Sequence, residues 1–159
     1  MPLKVKKSTK FFANSMSDLF HEQMPFDFLD RVFEIIAKTP WHSYQILTKR
    51  EAILRGYCAG RKMPDNVWLG VSVESAKVKD RIDALRSISA RIRFLSVEPL
   101  IADVGALDLT GIHWVIVGGE SGPRARPMRP EWALTTTTRS VKRPSFREPP
   151  CTRSLRTVV

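Results

Sequence analysis

A chain of 159 residues, 43% of them hydrophobic, is long enough to bury one domain core. With no apolar run of about eighteen residues, it has nothing to lay across a membrane. The net charge of +10 sits at the ends: residues 1–10 carry +4 and 134–159 carry +5, leaving +1 for 11–133. A basic recognition face written into the fold is therefore not indicated, and the tails are expected to hold a polyanion only weakly and without specificity.

Cys58 and Cys151 are far apart and match no metal spacing, so neither a disulfide framework nor a zinc site is expected and a reducing, cytoplasmic setting is the default. Residues 1–10 have the charge of a signal peptide but no apolar segment behind it.

Phe11 to Asp18 reads as a first strand leaving a basic lead-in. Pro25 and Asp27 suit a helix start, and Phe26, Leu29, Phe33 and Ile36 recur at helical spacing up to a stop near Thr39-Pro40. His42 to Thr48 is a second strand, followed by a short helix through Glu51–Tyr57 and a turn-rich link from Gly60 to Asn66. Val67 to Glu74 is a third strand. Ser75 is placed to cap a helix whose stripe is Val78, Ile82, Leu85 and Ile88. Arg91 to Glu98 is a fourth strand stopped by Pro99, Leu100 to Gly111 is a loop with one short turn, and Trp114 to Val117 is the fifth strand. Such β/α alternation predicts parallel strands joined by right-handed crossovers, with chemistry at their carboxyl ends.

Side chains alternate along a strand. Ser72 and Glu74 therefore share a face, as do Ser96 and Glu98 in an identical Ser-Val-Glu setting, and Glu120 follows two residues after Gly118. Adjacent parallel strands would bring Glu74, Glu98 and Glu120 to one rim, about 5 to 10 Å apart at a strand spacing near 4.8 Å, with Asp18, Lys49 and Arg50 beside them. Clustered carboxylates raise each other's pKa unless a cation compensates, and such a rim suits a substrate amine, a hydroxyl or a metal ion. The alternative is that each glutamate is a strand-end residue paired with Lys49, Arg50, Arg93 or Arg124. His21, His42 and His113 lack a second ligand at metal spacing, so no metal residue is assigned. The four tryptophans read as packing residues, and Gly118 to Gly122 lacks the lysine of a phosphate-binding loop.

Phe12-Ala-Asn-Ser-Met-Ser-Asp-Leu-Phe-His21, Gln45-Ile-Leu-Thr-Lys-Arg50, Asn66-Val-Trp-Leu-Gly-Val-Ser-Val-Glu74, Arg93-Phe-Leu-Ser-Val-Glu-Pro-Leu100 and Trp114-Val-Ile-Val-Gly-Gly-Glu-Ser-Gly122, with Ala125 to Met128 and Trp132, resemble a phage-associated bacterial family of unknown function related to radical S-adenosylmethionine (SAM) barrels. The resemblance covers about residues 11 to 133. It implies a partial, TIM-like (β/α) barrel of about five parallel strands, and in intact members SAM with a four-iron, four-sulfur cluster at the carboxyl mouth. The three-cysteine segment of that class is absent here, so no cofactor is expected in this chain. By position Ser15, Ser17 and Asp18 match the segment that holds the amino group of SAM, whereas Gly118-Gly119-Glu120 has that motif's letters on a later strand.

The division expected is a lead-in over 1–10, a partial barrel over 11–133, and a disordered or frame-shifted tail over 134–159. The leading functional reading is a central fragment of a radical-SAM-like barrel enzyme of unknown substrate, inactive alone, with Glu74, Glu98, Glu120 and Lys49 as its catalytic candidates. The competing readings are a small basic nucleic-acid-binding protein and a metal-dependent barrel hydrolase or lyase.

Overall fold

The computed structural model describes residues 2–13 and 17–137. Five strands form one sheet in the order β1 (Lys10–Ala13), β2 (Ser43–Thr48), β3 (Val67–Ser72), β4 (Ile92–Val97) and β5 (Trp114–Val117), each parallel to its neighbour. The helices are α1 (Phe26–Ala37), α2 (Glu51–Cys58), α3 (Asp80–Arg86) and α4 (Pro130–Thr137). The sequential parallel order agrees with the β/α alternation of the sequence, although the link from β4 to β5 carries no helix.

One face of the sheet carries Tyr44, Ile46, Leu69, Val71, Leu95 and Val97, and these share a single core with Leu29, Phe33 and Ile36 of α1, Leu54 and Tyr57 of α2, and Ile82 and Leu85 of α3. In α1 the apolar spacing aims Leu29, Phe33 and Ile36 at the sheet, and Asp27 complements the positive helix start. Its end is fixed from β3's side: the Asn66 amide donates to the carbonyls of Ile36 and Thr39, both at 3.1 Å.

The first strand is shorter than expected. It ends at Ala13, and Asp18 lies in a turn where its Oδ1 accepts from the Phe20 amide at 2.9 Å and its carbonyl from the His21 amide at 3.1 Å. That aspartate turn competes with strand geometry and turns Leu19 and Phe20 into the core. The expected helix after Ser75 is divided into a 3-10 turn at Ala76–Val78 and the short α3, and Ser75 makes no side-chain cap.

Residues 100–112 form no regular element, as expected. They nonetheless bury Leu100, Val104, Leu107, Leu109 and Ile112, covering the core where a crossover helix would lie. Arg86 holds this loop through the carbonyls of Thr110 (2.8 Å) and Asp108 (2.9 Å), and Lys79 through that of Ala106 (3.1 Å).

The basic lead-in is tied down: the Thr9 amide donates to Nδ1 of buried His42 at 3.2 Å, and Trp41 Nε1 to the Val5 carbonyl at 3.1 Å. At the other end, α4 continues to Thr137 and buries the Thr136 side chain. Residues 134–137 of the expected tail are thus helical, since Trp132 and Ala133 anchor that helix on the core. The remainder of the tail lies outside the described residues.

Candidate functional site

The register stacks the opposite face of the sheet in rows. The lowest runs Phe12, Gln45, Trp68, Ile92; the next Leu47, Gly70, Phe94, Trp114. Extending the same register by a residue or two gives Lys49, Ser72, Ser96, Ile116 and then Glu74, Glu98, Gly118 at the carboxyl rim. The lower rows are aromatic: Phe94 lies 5.7 Å from Trp114 between ring centroids, Trp68 lies 5.9 Å from Trp114, and the Lys10 ammonium stands 4.7 Å above Trp68. Gly70 makes room for this layer, because a Cβ there would sit 2.4 Å from the Phe94 ring.

Each rim carboxylate has a different setting. Glu74 pairs with Lys49 at 3.5 Å and with Arg81 at 3.1 Å, and Arg81 also reaches Glu51 at 3.2 Å and the Ser72 carbonyl at 3.0 Å. Lys49 thus stands beside Glu74, as expected. Arg81 carried no sequence signal, since it arrives from α3 on the far side of a turn.

Asp18 accepts from the Thr48 hydroxyl at 2.7 and 2.9 Å and from the Lys49 amide at 3.1 Å, and pairs with Arg50 at 3.4 Å. Thr48 was missed, because only the turn that displaces Asp18 from β1 brings the two together. Ser17 is exposed, and Ser15 lies outside the described residues.

Glu120 lies beyond the end of β5 and is held by Arg126 in a two-pronged pair, both contacts 2.8 Å, with the Arg126 amide donating at 2.9 Å. Those hydrogen bonds pull its carboxyl down to about 2, the reverse of the rise expected from carboxylate repulsion. A depressed folded-state pKa means the link is complete above the ordinary carboxylate range and lost as pH falls toward 2. A titration of the Glu120 carboxyl carbon by NMR is expected to show its midpoint near 2. A midpoint in the ordinary range would show that the pair does not form in solution.

Glu98 differs. Among the described residues its carboxylate has no hydrogen-bond or ion-pair partner, and it lies across Gly118, where a Cβ would meet its Oε1 at 2.2 Å. The Gly118 carbonyl accepts from the Leu100 amide at 2.8 Å. At Gly119 a Cβ would approach that of Met128 to 3.2 Å. Close approach of Glu98 and Met128 accounts for this glycine pair.

Ser72 and Ser96 face each other across β3 and β4 just below Glu74 and Glu98. Among the described residues no three His, Cys, Asp or Glu side chains come together in a group that could hold a metal ion. No described helix is long and apolar enough to cross a membrane.

Cys58 is buried in the core, its thiol 3.7 Å from the Met63 sulfur and pushed up to about 11 by burial. It does not fit an iron–sulfur ligand, which must be a thiolate open to the cluster. Of the residues matched to the SAM-binding segment, Asp18 pairs with Arg50; Glu120, whose triplet carries only that motif's letters, pairs with Arg126.

A single sheet of five sequential parallel strands, with helices packed on one face, defines an α/β protein. The chain belongs to DUF5131, a family described as a protein of unknown function, whose model matches residues 1–144. No curated protein and no solved structure matches it.

Proposed function

We propose that this chain is the sheet portion of a (β/α)-barrel-type enzyme, and that its carboxyl rim binds a small molecule through an amine or hydroxyl. The observation that carries this reading is Glu98. Asp18, Glu74 and Glu120 are each met by a cation, whereas the Glu98 carboxylate, between them on the rim, has no partner among the described residues. An ammonium or hydroxyl donated to Glu98 would gain a charge-assisted hydrogen bond that none of the described residues supplies. Ser72 and Ser96, in the row beneath, would orient the same molecule, and the pairs on either side would keep Glu74 and Glu120 from competing for it. This is a positioning role for the neighbours and direct contact for Glu98.

The relation to radical-SAM enzymes rests on sequence resemblance, and with Cys58 buried no step of this reading passes through a cluster. Anaerobic treatment of the full chain with ferrous iron and sulfide is expected to leave no stoichiometric cluster after desalting, and no reductive cleavage of SAM. Retention of four irons per chain would reverse that.

The rim is tested with 1,4-diaminobutane as amine probe and glycerol as polyol probe, followed by amide chemical-shift mapping. One of them is expected to move the amides around Glu98 and Gly118, and Glu98→Gln to weaken that binding at least tenfold with an unchanged melting temperature. Absence of shifts at the rim with both probes, or equal binding by Glu98→Gln, would refute the assignment.

A further inference from the structure

At the opposite end of the sheet, the loop after α2 and the loop after α3 face one another across a cleft of about 460 Å3. Its lining includes Arg55, Arg61, Lys62 and Ser89 and contains no carboxylate. Arg61 is partly spent: it pairs with Asp30 at 3.3 Å and lies over the Tyr57 ring. Arg55 and Lys62 have no hydrogen-bond or ion-pair partner among the described residues, and neither does the Ser89 hydroxyl.

This concentration stands out because residues 11–133 are otherwise balanced, with a net charge of +1. Elsewhere in the fold Arg50, Arg81, Arg86 and Arg126 each pair with one or two carboxylates. Arg93 adds to the positive end, its guanidinium donating at 2.6 Å to the Ile88 carbonyl between the two serines of the second loop.

Cations at a helix C-terminus have a simpler purpose, since they offset the negative end of the helix. That purpose is limited in size. The ends of α2 and α3 contribute about half a negative charge each, and the effect fades within the last turn. Arg55, in the last turn of α2, is enough to meet the first, and Arg86, in the last turn of α3, meets the second. Lys62 and Arg61 lie beyond either helix. Gly60, which also lines the cleft, has φ +70°, and nothing stands within 4 Å of where a Cβ would be.

We propose that this cleft is a second ligand site, distinct from the rim, that takes a small phosphate-bearing anion. Arg55 and Lys62 supply the charge, Arg61 a directed guanidinium edge, and Ser89 a hydroxyl donor. The cleft volume falls within the range of small-molecule sites, about 300 to 1,000 Å3, which favours a compact phosphate ligand over an extended nucleic-acid backbone.

Inorganic pyrophosphate is the probe, titrated calorimetrically into the full chain at low and moderate salt. One site is expected, with amide shifts confined to residues 59–62 and 87–89. Arg55→Gln with Lys62→Gln should weaken binding at least tenfold, while replacing Lys4, Lys6 and Lys7 by glutamine should leave it within twofold. Ser89→Ala, which touches no charge, should weaken it measurably and covers the case where the double variant folds poorly. Absence of binding, shifts elsewhere, or loss of binding on removing the N-terminal lysines would each overturn the proposal. Binding of a single-stranded oligonucleotide at the same residues without competition by pyrophosphate would overturn it in favour of a nucleic-acid surface.

Discussion

Gly70→Ala is expected to destabilise the fold by about 3 kcal/mol, near the upper end for overpacking a core. The added methyl would sit 2.4 to 2.6 Å from three atoms of the Phe94 ring, and the ring has little freedom to yield. It is 1% exposed and lies against Trp114, which in turn contacts Trp68. Relief requires moving an aromatic cluster that spans three strands, or parting β3 from β4. Urea denaturation with an unchanged m-value would measure the loss. In the same experiment, Phe94→Leu should cost less in the Gly70→Ala background than in the wild type, by more than 1 kcal/mol of coupling. A Gly70→Ala protein within about 0.5 kcal/mol of wild type would show that the aromatic layer is loosely packed.

Asp18→Ala should cost about 3 kcal/mol and lower the melting temperature by about 10 °C. The carboxylate closes the turn through the Phe20 amide, holds the Thr48 hydroxyl at the end of β2, accepts from the Lys49 amide, and pairs with Arg50. Its removal strands those donors in a place where Asp18 itself is only 15% exposed. Arg50 would be left with Glu22 alone, at 3.8 Å. Asp18→Asn keeps an acceptor for Phe20 and Thr48 but loses the charge, so about 1 kcal/mol is expected for it. If alanine and asparagine were equally mild, the turn would be held by the burial of Leu19 and Phe20 rather than by the carboxylate.

The strands and α1 were readable because their signals are local and periodic. Leu29, Phe33 and Ile36 repeat at helical spacing, and the runs around Ile46, Leu69, Leu95 and Ile116 are short, apolar and bounded by turn residues. The repeated Ser-Val-Glu letters also placed Ser72 against Ser96, because a shared register follows from a shared pattern. Asp18 was misplaced for a reason of the same kind. In sequence it reads as the last residue of the first strand, yet it closes a turn by accepting from the Phe20 amide.

Charges were the least readable. Arg81 joins Glu74 to Glu51, and Arg126 folds back six residues onto Glu120. Both partnerships depend on loop paths that residue types do not specify. The cleft between Arg55 and Ser89 was invisible for a related reason, being built from two loops some thirty residues apart, each an ordinary polar turn by itself. The overall balance of residues 11–133 hid its local excess of positive charge.

The sequential strand order leaves β1 and β5 with one neighbour each among the described residues. The two outer strands are protected unequally. β1 is four residues long and begins with Lys10, a charge of the kind that discourages another chain from adding to it. β5 reads Trp-Val-Ile-Val, with no charge and no proline, and its side chains are only half-buried or exposed. Such an edge is a template for strand addition and for aggregation. Ile116→Lys is therefore expected to raise the concentration at which this protein stays in solution, by placing a charge on that edge.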